Sequence, residues 1–238
     1  MKQTLLAVAL GAAMVSPMVS AVELKTEEQK VSYSVGLMVG EQLKTIPNVD
    51  FDAFLEAAKT TYGDKEPKLS PDQVREVMTA FQKKQMEEQK KKHDQLSSDN
   101  LEAGKKYLAE NGKKKGVTTT ESGLQYEELT AGKGKSPTAA DTVKVHYRGT
   151  LINGEEFDSS FSRNEPVSFP LNGVIPGWTE GLQMIKEGGK ARLVIPADLA
   201  YGPGGMGNAI GPNETLIFEV ELLEINPGAE EAAEVEKK

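Results

Sequence analysis

The chain has 238 residues, 38% of them hydrophobic and 27% charged, with 36 acidic side chains against 28 basic, no cysteine and one tryptophan. Absence of cysteine excludes disulfides, thiolate nucleophiles, iron–sulfur clusters and cysteine-type zinc sites, and His93 and His146 alone poorly support a metal cage or a relay. A net charge of −8 argues against nucleic acid as the main partner, and the length allows one large domain or two smaller ones with a real core.

The first segment reads as an export signal. Lys2 gives a positive start, Leu5 to Val15 is an apolar run, and Val19-Ser20-Ala21 ends in small residues suited to cleavage after Ala21. Such a run is shorter than the roughly 20 residues a spanning helix needs, so residues 1–21 are expected as a removed signal peptide and not a membrane anchor. The expected location is a bacterial periplasm.

Residues 22–111 carry helical patterns. Thr26 and Gln29 form a capping-box word, and Val31, Val35, Met38, Val39, Leu43 and Ile46 follow on one face until Pro47. A second short helix carries Phe51, Phe54, Leu55 and Ala58 and stops at Tyr62-Gly63-Asp64. Ser70-Pro71-Asp72-Gln73 opens a third, with an N-cap serine, proline in the first turn and glutamine at the box position. Its apolar stripe is Val74, Val77, Met78 and Phe81; from Lys83 the face dissolves into Lys, Glu and Gln, yet helix can continue to about Asn111. Three stripes confined to the first sixty of ninety residues are too few for an independent core, which predicts a homodimer through residues 22–69 and the start of the long helix 70–111, the remainder being a bare connecting arm. The run Lys90-Lys91-Lys92 beside Glu87 and Glu88 reads as a solvated helix face.

Residues 112–116, Gly-Lys-Lys-Lys-Gly, mark a linker. Beyond it, alternating β-branched and aromatic runs predict antiparallel strands at Leu124–Leu129, Val143–Leu151, Lys190–Ile195 and Thr215–Ile225, with a hairpin-type turn at Asn153-Gly154 and one short helix from Trp178 to Lys186. From Pro227 to Lys238 there is little to bury, and a disordered acidic tail is expected.

Two glycine-rich words are poor phosphate loops. Gly202-Pro203-Gly204-Gly205-Met206-Gly207 fits G-x-G-x-x-G but is followed by Gly211-Pro212 and a strand pattern where a dinucleotide site needs a helix, and Gly134-Lys135-Ser136 has Leu129 where a P-loop begins with glycine. His146 lies in a strand pattern beside Tyr147 and reads as a packing residue rather than a base.

Aromatic and aliphatic side chains crowd near turns in the second half: Tyr147, Phe157, Phe169, Val174, Ile175, Trp178, Tyr201, Ile210 and Phe218. Spacing alone makes these a hydrophobic core. The words holding them, Val145-His146-Tyr147-Arg148-Gly149-Thr150-Leu151, Gly154-Glu155-Glu156-Phe157-Asp158-Ser159-Ser160, Gly173-Val174-Ile175-Pro176-Gly177-Trp178, Ile195-Pro196, Leu199-Ala200-Tyr201-Gly202 and Leu216-Ile217-Phe218-Glu219-Val220-Glu221-Leu222, resemble in order and spacing the FKBP-type peptidyl-prolyl cis–trans isomerases across residues 117–226. The helical N-terminal part is similar to that of the exported FkpA and Mip subgroup.

The resemblance implies an α+β fold: a helical dimerisation domain, a long connecting helix, then a bent antiparallel sheet wrapped around a short helix. It implies Trp178 as the floor of a proline pocket, Tyr147, Phe157, Val174, Ile175, Tyr201 and Phe218 as walls, Phe169 as a further substrate contact, and Ile210 as part of a flap. Tyr201 matches the hydroxyl that donates to a ligand carbonyl, Asp158 a buried carboxylate near that carbonyl, and Arg163 its partner. Tyr147, Phe157, Asp158 and Tyr201 are thus the catalytic candidates. Val167, where many relatives carry an aromatic residue, and the small Met206-Gly207-Asn208-Ala209 flap depart from the pattern. Implied partners are unfolded or partly folded proline-containing polypeptides, with macrolide inhibitors of the FKBP class as further ligands; no cofactor or metal is implied. The implied activity is X-Pro isomerisation during folding of exported proteins, with chaperone activity from the helical dimer.

Overall fold

The computed structural model describes residues 23–227, so the signal segment with its cleavage position and the tail from 228 onward lie outside the described residues. The chain divides into two compact units between Arg75 and Glu76.

In the first unit α1 spans Glu27–Leu43. The Thr26 hydroxyl accepts from the Gln29 N–H while the Gln29 side chain accepts from the Thr26 N–H, so the capping box forms as its spacing predicts. The helix ends before Ile46, a turn short of the predicted stripe: Thr45 and Ile46 donate to carbonyls three residues back, tightening the chain ahead of Pro47. Asp50 caps α2, Phe51–Tyr62, by accepting from the Ala53 N–H, and Gly63 closes it. Neither helix contains a buried residue.

Helix α3 runs unbroken over Pro71–Asn111, about 62 Å at 1.5 Å per residue. Ser70 and Gln73 form its capping box at 3.3 and 2.9 Å, with Pro71 in the first turn where its missing N–H costs nothing.

The second unit adds a seven-stranded, wholly antiparallel sheet, β1 (Val117–Thr119), β2 (Gln125–Thr130), β3 (Thr142–Leu151), β4 (Glu156–Ser159), β5 (Val167–Pro170), β6 (Lys190–Ile195) and β7 (Leu216–Ile225), ordered β1-β2-β6-β7-β3-β4 with β5 also on β3. Alternation sends Val143, Val145, Tyr147 and Leu151 of β3 and Leu216, Phe218, Val220 and Leu222 of β7 to one face. Helix α4, Pro176–Leu182, packs on that face. A Cβ on Gly177 would stand 2.4 Å from Ile195 and one on Gly181 2.6 Å from Leu193, so both glycines are needed for the helix to lie this close to β6.

Beyond the early end of α1, the fold departs from the sequence expectation in three places. Strands β1, β4 and β5 span only three or four residues, too few to display alternation, and are held by their neighbours instead. Helix α4 is not Trp178–Lys186: Pro176 starts it two residues earlier, and it ends at Leu182 in tight turns to Gly188, at φ +78°, while Ile185 is buried from outside the helix. The end of α3 is no bare arm, since Ser97, Asn100, Leu108 and Asn111 all bond to the sheet body.

Candidate active site

Five elements bring aromatic rings together on the face of the sheet that α4 covers. Trp178 of α4, 4% exposed, meets Tyr147 of β3, Phe169 of β5 and Phe218 of β7 edge-on, with ring centroids 5.2, 5.5 and 5.1 Å away. Phe157 of β4 stands edge-on to Phe218 at 5.5 Å. Edge-to-face contacts put the positive rim of one ring against the negative face of the next, which holds such a cluster in a defined geometry. Gly149, opposite Phe218 in the β3–β7 register, makes the space: a Cβ there would lie 2.6 Å from Phe157 and 2.8 Å from Phe218. A strand-interior glycine can mark such a close approach, a signal the sequence reading left unused.

The cluster grades from buried to open. Tyr147, Trp178, Ile210 and Phe218 are buried, whereas Phe157, Phe169, Val174, Ile175 and Tyr201 are partly exposed around them. All eleven predicted site residues belong to this one region, nine as its apolar cluster and two, Asp158 and Arg163, as a polar group on Tyr147.

In that polar group the Tyr147 hydroxyl donates to Asp158, Arg163 donates to the other carboxylate oxygen at 2.5 Å, and the second Arg163 nitrogen donates to the Tyr147 oxygen at 3.1 Å. Asp158 is not the buried carboxylate expected: its side chain is 40% exposed, because β4 lies at the sheet edge and Arg163 reaches it from the loop beyond. Partial burial pushes the Asp158 carboxyl up, but the hydrogen bonds from Tyr147 and Arg163 and the Arg163 charge prevail and hold it below its ordinary value. Burial, and then the bond to Asp158, raises the Tyr147 phenol; burial, with the Asp158 charge, raises that of Tyr201. Both phenols therefore keep their protons at neutral pH. Tyr147 has its hydroxyl hydrogen committed to Asp158, whereas the Tyr201 hydroxyl has no partner among the described residues, which leaves Tyr201 as the available donor.

One positioning element escaped the sequence reading. Ser160, fully buried, accepts from the Tyr147 N–H at 2.8 Å through its hydroxyl, which also lies 2.9 Å from His146 Nδ1, while the Ser160 N–H donates to the Tyr147 carbonyl at 2.9 Å. Both backbone groups of Tyr147 are thereby tied to the segment after β4. His146 stacks on Phe161 at 4.7 Å and packs as expected. The Gly202–Gly207 word forms a short 3-10 turn and loop, with no helix to hold a pyrophosphate.

Comparison with known proteins finds one family along the chain. Residues 133–223 match the family described as FKBP-type peptidyl-prolyl cis-trans isomerase, and residues 28–127 the domain amino-terminal to it. Over 256 aligned positions the chain is 40% identical to the FKBP-type peptidyl-prolyl cis-trans isomerase FkpA of Escherichia coli K12, covering 99% of this chain and 94% of that one.

The chain belongs to the FKBP-type peptidyl-prolyl cis–trans isomerases.

This FKBP-type isomerase is also 44% identical over 218 residues to a probable FkpA of Neisseria meningitidis serogroup B, covering 88% of this chain and 80% of the relative. The crystal structure of E. coli FkpA superposes with a TM-score of 0.72 at 42% identity, covering 86% of this chain and 99% of that one. A Pseudomonas syringae peptidyl-prolyl isomerase superposes with a TM-score of 0.52 at 41% identity over 55% of this chain and 96% of its own. The protein is a peptidyl-prolyl cis–trans isomerase, and its substrates are proline-containing polypeptides. Among the described residues no helix is long and apolar enough to cross a membrane, and no group of three or more acidic or histidine side chains is placed to hold a metal ion.

Proposed function

We propose that proline binds over Trp178, bordered by Tyr147, Phe157, Val174, Ile175 and Phe218, with Phe169 and Ile210 completing the surround and Tyr201 donating to a substrate carbonyl. The observation that carries this reading is the edge-on ring cluster around Trp178, open to solvent only through its half-exposed members. Rotation of an X-Pro amide faces a barrier of about 18–20 kcal/mol because resonance must be broken. The twisted amide has less charge separation than the planar one, so an apolar, water-stripping surface disfavours the planar ground state relative to it. An acceleration of roughly 10⁴ to 10⁶ needs about 5–8 kcal/mol of preferential stabilisation, which desolvation, fit to the twisted form and the Tyr201 hydrogen bond supply together. No proton transfer is needed, and Asp158 serves to fix Tyr147 and Arg163.

Exchange spectroscopy on a proline tetrapeptide tests this. Phe157→Ala and Trp178→Leu should each cut kcat/KM by more than tenfold, on the scale of losing a large buried aromatic contact. Wild-type rates in both folded variants would remove the cluster from the site.

The physiological setting belongs to the same reading: export to the periplasm with residues 1–21 removed, residues 22–69 and the start of α3 as a homodimerisation domain, residues 70–111 as its connecting helix, and an isomerase domain over 117–226. Support for the dimer comes from Val31, Val35, Met38, Phe51, Leu55, Val77 and Met78, all exposed in a chain whose first two helices bury nothing. Non-native polypeptides presenting apolar segments are the partners such helices would hold as a chaperone. FKBP-class macrolides fit the same apolar site.

A further inference from the structure

Along the last turns of α3, Ser97, Asn100, Gly104, Leu108 and Asn111 recur at steps of three and four residues, which puts them on one helix face. Ser97 Oγ accepts from Asn213 Nδ2 at 2.7 Å, and Asn100 Nδ2 donates to the Pro212 carbonyl at 2.9 Å. At Gly104 a Cβ would stand 2.3 Å from Thr215 Oγ1, so the helix reaches this buried threonine only where a side chain is missing. Lower down, Gln125 donates to the Leu108 carbonyl at 2.7 Å and accepts from Asn111 at 2.9 Å, both side chains buried.

The upper contacts fall on a segment that has little to fix it by itself. In the loop Gly202–Asn213, Gly202, Gly205, Gly207 and Asn213 all have positive φ, and glycine loses more freedom on ordering than any other residue. The loop neck is closed by Asn213 N–H donating to the Gly202 carbonyl at 2.8 Å, and its tip by the Met206–Ile210 bridge. Tyr201 immediately precedes the neck, and Ile210 is buried in the aromatic cluster. Asn213 therefore bonds inward through its backbone and outward to α3 through its side chain.

The geometry points to Ser97 and Asn100 as positioning residues for the proline site: through Asn213 and Pro212 the connecting helix holds the neck of the Gly202–Asn213 loop, and with it Tyr201 and Ile210. This rests on the reading of those two residues as substrate contacts. It makes the end of α3 a working part of the isomerase.

The test uses the full chain carrying Ser97→Ala and Asn100→Ala together, with Ser97→Thr as the variant that keeps the hydroxyl. Hydrogen exchange of residues 202–213 should quicken roughly tenfold in the double variant, the scale of losing two ordinary hydrogen bonds, with β3, β6 and β7 unchanged. Tetrapeptide kcat/KM should fall roughly three- to tenfold, mainly through KM, and Ser97→Thr should behave as wild type. Unchanged loop exchange would overturn the proposal, as would faster exchange spread evenly over the sheet, which marks general destabilisation. Faster loop exchange with wild-type kinetics would instead overturn the assignment of Tyr201 and Ile210 to the substrate.

Discussion

The Tyr147 hydroxyl donates to Asp158, eleven residues along the chain, and the Tyr147 oxygen in turn accepts from Arg163 at 3.1 Å. A phenol held from both sides has no proton left for a substrate, whereas the Tyr201 hydroxyl is uncommitted among the described residues. Tyr201→Phe should therefore lower kcat/KM by roughly tenfold with little change in stability, the loss of one hydrogen bond strengthened in the transition state. Tyr147→Phe should act chiefly on stability, because it removes a partner from both Asp158 and Arg163. Steady-state kinetics and urea unfolding of the two variants decide it; the opposite pattern would transfer the donor role to Tyr147.

Asp158→Asn keeps an acceptor for Tyr147 but removes the charge and replaces the oxygen that accepts from Arg163 with an amide NH2. Its kcat/KM should fall by less than the hundredfold or more typical of deleting an essential general acid. A larger loss in a variant with wild-type unfolding would demand a proton-transfer role for this carboxylate.

The titration of Asp158 has a definite sign. Its folded carboxyl lies below its ordinary value, while an unfolded aspartate titrates near about 3.9, so the Asp158 group stabilises fully above that pH and its contribution is lost as pH falls through the folded value. Carbonyl-carbon NMR of the folded protein should locate the Asp158 midpoint below that of an exposed aspartate, and Arg163→Gln should move it up. A midpoint unmoved by Arg163→Gln would contradict the ion pair as a cause.

Gly149→Ala places a methyl carbon within 2.8 Å of both Phe157 and Phe218. Overpacking of this kind costs about 1–3 kcal/mol. The variant should unfold at lower urea and lose turnover together, since the rings that must move are those of the site. Unfolding at the wild-type midpoint would mean that the two rings part freely.

Charge on an α1 stripe should break the proposed dimer. In the chain from residue 22 onward Val35→Glu with Met38→Glu should halve the mass seen by sedimentation equilibrium while leaving tetrapeptide turnover unchanged. A wild-type chain that sediments as a monomer removes the homodimer from the functional reading.

Much of the local structure was legible in the sequence because its causes lie within one turn. Thr26 with Gln29 and Ser70 with Gln73 announced two helix starts, and Asn153-Gly154, with Gly154 at φ +88°, announced the turn between β3 and β4. The proposed site residues were legible for a different reason: their words resemble those of a known family, whereas spacing alone reads the same residues as core, and only Tyr147, Trp178, Ile210 and Phe218 are buried in it. Asp158 shows the limit. Its identity could be read, but not its exposure, which depends on β4 lying at a sheet edge.

By itself the sequence determined the helix caps, the long polar helix and the four strands long enough to alternate, since each follows from neighbours a few bonds apart. Only the tertiary structure decided that Ser160 clasps Tyr147, that Gly149 clears space for two rings, and that Ser97 and Asn100 reach residues more than a hundred positions away. Contacts across such separations leave no local periodicity. They exist only once the sheet has formed and brought their partners within hydrogen-bonding range.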